Sequence, residues 1–84
     1  MKAGNVETQA LMRDRKGNAL KAGDIIAATV ADGGNPAGAK WAVLGIGIEP
    51  STGMRICCIK DAESDYIACC YQSELMFFEK VETA

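Results

Sequence analysis

Histidine is absent from this 84-residue sequence, aromatic residues make up only 6% of it, and proline occurs twice. Without imidazole there is no ready general acid/base near neutral pH and no mixed Cys/His zinc site. Nucleophilic catalysis has no visible constellation either: no Ser-x-x-Lys-type pair occurs, and the clustered carboxylates sit in one turn. Long apolar runs are missing too. The longest, Trp41–Ile48, falls far short of the roughly 20 residues a membrane helix needs, and the amino terminus lacks the apolar core of a signal peptide. These absences set the expectation of a soluble cytoplasmic protein with no membrane partner.

Charge of one sign is also in short supply, since the net charge is −2. Its distribution is uneven: residues 1–41 carry six Lys/Arg against four Asp/Glu, and residues 42–84 carry three against seven. An acidic second half provides no basic stripe to neutralise phosphates, which argues against nucleic acid as a partner and suits a basic protein surface.

What is present is apolar material, 49% of the chain, enough for one small globular domain over residues 1–84. A chain of this size hides only about 60–65% of the surface its unfolded form would expose, so the core is small. Glycine supplies the punctuation: Arg15-Lys16-Gly17-Asn18, Gly23-Asp24, Asp32–Gly38, Glu49–Gly53 and Asp61–Asp65 are turn or loop stretches. Between them lie runs of strand length, Gln9–Arg13, Ile25–Val30, Trp41–Ile48, Met54–Lys60, Tyr66–Tyr71 and Met76–Val81. Their spacing predicts an all-β meander, with a 3₁₀ turn at Gln72–Leu75 and a hairpin arm, in preference to a short helix, near Val6–Asp14.

The segment Asp14-Arg15-Lys16-Gly17-Asn18-Ala19-Leu20-Lys21-Ala22-Gly23-Asp24-Ile25-Ile26 resembles the D-x-x-G-x-x-[IL]-x-x-G-D-x-[IV] opening of small SH3-like barrels of phages and mobile elements, including YopX-type proteins. The resemblance covers about one-sixth of the chain and implies a five- to six-stranded SH3-like barrel with an N-terminal hairpin arm, carried by a mobile genetic element. More distantly, the barrel is similar to that of type II plasmid-borne dihydrofolate reductases. Their Val-Gln-Ile-Tyr pore motif would fall on Ile67-Ala68-Cys69-Cys70, and their basic residue on Ala27 or Ala28. The Gln, Tyr and Lys are all missing, so the barrel and a habit of self-association carry over but the reductase activity does not.

Four cysteines stand as two adjacent pairs, Cys57-Cys58 and Cys69-Cys70. Neighbours in a strand point to opposite faces, so neither pair can converge on one metal ion, and no metal site is expected. A four-residue turn over Ala62–Asp65 sets Cys58 opposite Cys69 and Cys57 opposite Cys70, and cysteine then serves as a small apolar filler. Both faces of this hairpin are apolar, which implies self-association. Cys57, Ile59, Tyr66, Ala68 and Cys70 are assigned to an outer, intersubunit face, with a dimer favoured.

Trp41, on the outer face if Ala42, Leu44, Ile46 and Ile48 line the core, forms with Gly33, Gly34 and Asn35 a candidate partner-binding surface. Phe77 and Phe78 point to opposite faces, so one of them needs cover. Asp61-x-Glu63-x-Asp65 has calcium-loop spacing but Tyr66 where glycine belongs and Gln72 where glutamate belongs, so it reads as a solvated hairpin tip. Gly45-Ile46-Gly47 lacks the third glycine of a dinucleotide fingerprint, and no cofactor is expected. The reading is a non-enzymatic module of a mobile element, a homo-oligomer that binds a host or phage protein. Two alternatives stand beside it: a small-molecule or enzymatic site between subunits using Tyr66 and Tyr71, and single-stranded nucleic acid stacked on Trp41 and Tyr71.

Overall fold

The computed structural model describes residues 11–29 and 37–82. It is all-β: β1 (Ile25–Ala28), β2 (Lys40–Ile48), β3 (Arg55–Asp61), β4 (Ile67–Cys70) and β5 (Phe78–Glu82), with one 3₁₀ turn at Glu74–Phe77. The strands form one antiparallel sheet in the order β4-β3-β2-β1-β5, so the last strand returns beside the first. The expected closure into a barrel is not made, because β4 and β5 remain the two edges of an open sheet. Aromatic side chains occupy the space between them: Trp41 meets Tyr66, beside β4, and Phe78, on β5, edge-on at centroid separations of 6.0 and 6.5 Å.

Of the expected strand near Gln9–Arg13, residues 9 and 10 lie outside the described residues, and Arg13 makes one isolated bridge to Ala19. The hairpin arm is therefore a tight turn, and it folds onto the sheet with Met12 and Leu20 buried. The 3₁₀ turn sits two residues later than expected because Glu74 closes it. Its carboxylate accepts from the Tyr71 N–H (2.8 Å) while its own N–H donates to the Tyr71 carbonyl (3.0 Å), and this drives Leu75 fully into the core.

The opening motif gains a physical account. Gly17 and Gly23 adopt φ of 86° and 95°, which side chains with a Cβ disfavour. The buried Asp14 carboxylate accepts from the N–H groups of Lys16 (2.9 Å), Asn18 (2.8 Å) and Lys80 (2.7 Å) and from Asn18 Nδ2 (3.1 Å). Asp24, also buried, accepts from the Lys21 N–H and lies 3.4 Å from Lys80 Nζ. Both aspartates of the motif thus fasten one lysine of β5. With the Arg15 N–H donating to the Phe78 carbonyl (3.0 Å), the opening turn covers the outer edge of β5.

The β3–β4 hairpin has the expected register, Cys57 opposite Cys70 and Cys58 opposite Cys69. Asp61 closes its turn by accepting from the Glu63 N–H and the Ser64 hydroxyl, so that carboxylate is committed to the turn.

The two faces, however, are the reverse of the assignment. Cys57, Ile59 and Cys70 are buried and Ala68 packs against the core, whereas Cys69 and Ile67 are exposed. The cause is a bulge in β2: Val43 pairs with Ile59 and Gly45 with Cys58, leaving Leu44 between them without a partner in the ladder. One extra residue flips side-chain parity. Trp41 and Val43 therefore face the core before the bulge and Ile46 packs on it after, while Leu44 is 45% exposed. Trp41, expected outside, is buried at 3% exposure.

Candidate functional site: an aromatic cleft between the sheet edges

Between β4 and β5 the concave face opens into a cleft of about 300 Å³. Trp41 and Ile59 contribute from the central strands, Tyr66, Ala68 and Cys70 from β4 and its approach, and Glu74, Phe77 and Phe78 from the 3₁₀ turn and β5. Phe78 and Cys70 are buried, while Tyr66 and Phe77 remain 64% and 47% exposed. Rings with free faces beside a buried indole leave apolar area that a ligand could remove from water. One polar feature breaks the apolar wall: Trp41 Nε1 is buried with no hydrogen-bond partner. An unmet buried donor costs roughly 1–3 kcal/mol, so it is a group that an incoming acceptor would relieve.

Two sets of residues assigned separately from sequence meet here. Trp41, expected on a partner surface, shares the cleft with Ile59, Tyr66, Ala68 and Cys70, expected on an intersubunit face. Cys57 stays in the core, and Gly33, Gly34 and Asn35 lie outside the described residues. Glu74, Phe77 and Ala28 were not anticipated. The adjacency of Phe77 and Phe78 was the available signal, since alternation places one ring in the core and leaves the other uncovered. Tyr71 does not join them. Its hydroxyl donates to Glu49 Oε1 at 2.6 Å, which holds the phenol above its ordinary range and the carboxyl below its own.

The four sulfurs divide two and two. Burial pushes the Cys57 and Cys70 thiols up to about 12 and about 11, so both stay protonated and act as apolar filler. Cys58 and Cys69 lie on the opposite face with their sulfurs 2.8 Å apart. Among the described residues, no group of three or more His, Cys, Asp or Glu side chains is placed to hold a metal ion, and no helix is long and apolar enough to cross a membrane.

The sheet edges frame the cleft unequally. β5 is covered by the opening turn, but among the described residues β4 pairs only with β3. Fold and site together define a small all-β domain with an aromatic cleft beside one open strand edge. No protein-family model, curated protein or solved structure matches the chain.

Proposed function

We propose that the protein is a non-enzymatic interaction module that takes an extended segment of another protein along the free edge of β4 and seats one apolar side chain of it in the cleft. The observation that carries this reading is the pairing of an open strand edge with a cleft walled by Trp41, Tyr66, Phe77 and Phe78. Added strands draw affinity from main-chain hydrogen bonds and specificity from pockets for alternate side chains. A carbonyl entering with the guest is the acceptor that Trp41 Nε1 lacks. The resemblance of the opening motif to phage-borne barrels makes a host or phage protein the partner to try first.

A displayed peptide library panned against the protein tests this, with the chain's one tryptophan giving a single indole signal. Selected peptides should shift that signal and the amides of Ile67 and Cys69, and Phe77→Ala should weaken them by about tenfold or more, roughly 1.4 kcal/mol. A selection without binders, or binders that leave these signals in place, would remove the reading.

Self-association, expected on the Cys57 face, has a different candidate surface: the outer face with Leu44, Ile56 and Ile67, where Gly45 and Gly47 raise no side chain to hold another surface away. Sedimentation of the unmodified protein beside Ile67→Asp checks it. A dimer that this substitution separates supports the surface, and a monomer at tens of micromolar excludes it.

A further inference from the structure

The Cys58/Cys69 pair differs from Cys57/Cys70 in more than burial. The Asp61 N–H donates to the Tyr66 carbonyl at 2.9 Å, which makes that opposed pair a hydrogen-bonded one. Opposed pairs in an antiparallel ladder alternate, so Ile59/Ala68 and Cys57/Cys70 are also hydrogen-bonded, and Lys60/Ile67 and Cys58/Cys69 are not. Non-hydrogen-bonded partners stand closest, with Cα atoms about 4.5 Å apart, inside the span a disulfide bridges. The Cys58 and Cys69 sulfurs already lie 2.8 Å apart. Cys69 is open to solvent and Cys58 is half-buried behind it, whereas Cys57 and Cys70 are shut in the core.

We propose that Cys58 and Cys69 form a cross-strand modification site at which small-molecule disulfides oxidise the two thiols to one intramolecular disulfide, sparing Cys57 and Cys70. The exposed Cys69 thiolate attacks one sulfur of the disulfide RSSR, whose S–S bond breaks to release RS⁻ and leave a mixed disulfide on Cys69. Cys58 gives up its proton and attacks the Cys69 sulfur, expelling the second RS⁻. The two released thiolates carry away the electron pair and the two protons, so two protein thiols and one RSSR become one protein disulfide and two RSH. The hydrogen bond to Cys69 pushes the Cys58 thiol up to about 11, which identifies Cys58 as the donor of the contact and fits it to the second, intramolecular attack. The product staples the open edge strand to β3 beside the cleft, and it forms whether or not the cleft binds a peptide.

Dilute native protein treated with oxidised glutathione, alkylated after denaturation and mapped by mass spectrometry, tests the site. The expected product is lighter by two hydrogens, joins Cys58 to Cys69, and leaves Cys57 and Cys70 alkylated, with glutathionylated protein below about a tenth of the total. Cys58→Ser should instead accumulate the adduct on Cys69. A stable glutathione adduct on the unmodified protein, a Cys57–Cys70 bridge, bridging between chains, or four free thiols would each overturn the proposal.

Discussion

Replacing Ile59 by aspartate is expected to unfold the protein, not to dissociate it. Ile59 is 1% exposed, pairs with Val43 and Ala68, and borders the cleft floor beside Trp41. Removing a buried aliphatic side chain of this size costs about 2–5 kcal/mol. Placing an unpaired carboxylate there adds several more, even after the group takes up a proton. A domain of 84 residues holds roughly 4–13 kcal/mol at about 0.05–0.15 per residue, so the sum reaches the whole of its stability. Circular dichroism should show the β spectrum lost at 25 °C. Ile67→Asp, two strand positions from Ala68's partner but on the outer face, should stay folded within about 1 kcal/mol of the parent. A folded Ile59→Asp protein would mean that the assignment of faces given above is wrong.

Asp14→Ala is expected to cost about 2–4 kcal/mol in a denaturant titration, although it removes little volume. Four donors converge on that carboxylate, and one of them, the Lys80 N–H, belongs to β5. Each hydrogen bond to a charged group contributes about 1.5–3 kcal/mol, but the effects overlap because the turn relaxes as a unit and water reaches part of it. The same geometry fixes a pH dependence. Burial raises the Asp14 pKa, the hydrogen bonds from Lys80, Asn18 and Lys16 lower it, and together they outweigh burial, so the folded-state value lies below the ordinary 3.8. A group whose pKa is depressed by folding stabilises the native state above its unfolded pKa, and that contribution fades as pH falls through the folded value. The gap between the parent and Asp14→Ala should therefore be constant near neutrality and narrow in acid below about pH 4. A gap that is constant down to the lowest pH at which both fold would assign the loss to turn geometry and not to charge.

Much of this fold was legible in the sequence, and the reasons can be traced to residues. Turn chemistry located four of the strands to within one or two positions, and a four-residue turn with matching cysteine pairs set the β3–β4 register correctly. The orientation of that hairpin was not legible because both its faces are apolar, so alternation gave no preference. The decision was made by the bulge at Leu44, whose neighbours show no glycine-driven kink or polar residue to betray a change of parity. The same bulge hid the cleft by turning Trp41 inward. The two aspartates of the opening motif looked like turn punctuation because their common partner, Lys80, is 66 positions from Asp14 in the chain. Local pattern cannot register a bond of that span.

The covering of β5 by the opening turn also limits the valence of the domain. Growth of a β-fibre needs two complementary edges on every unit, one to accept the next copy and one to be accepted. Here the Phe78 carbonyl and the Lys80 N–H are already taken by Arg15 and Asp14, so among the described residues only β4 offers a template. A unit with one usable edge can add one strand, whether from a guest or from the same edge of a second copy across a twofold axis, and the addition consumes the edge. Strand addition by this domain therefore terminates itself after a single step, and polymerisation would first require the seal on β5 to be broken.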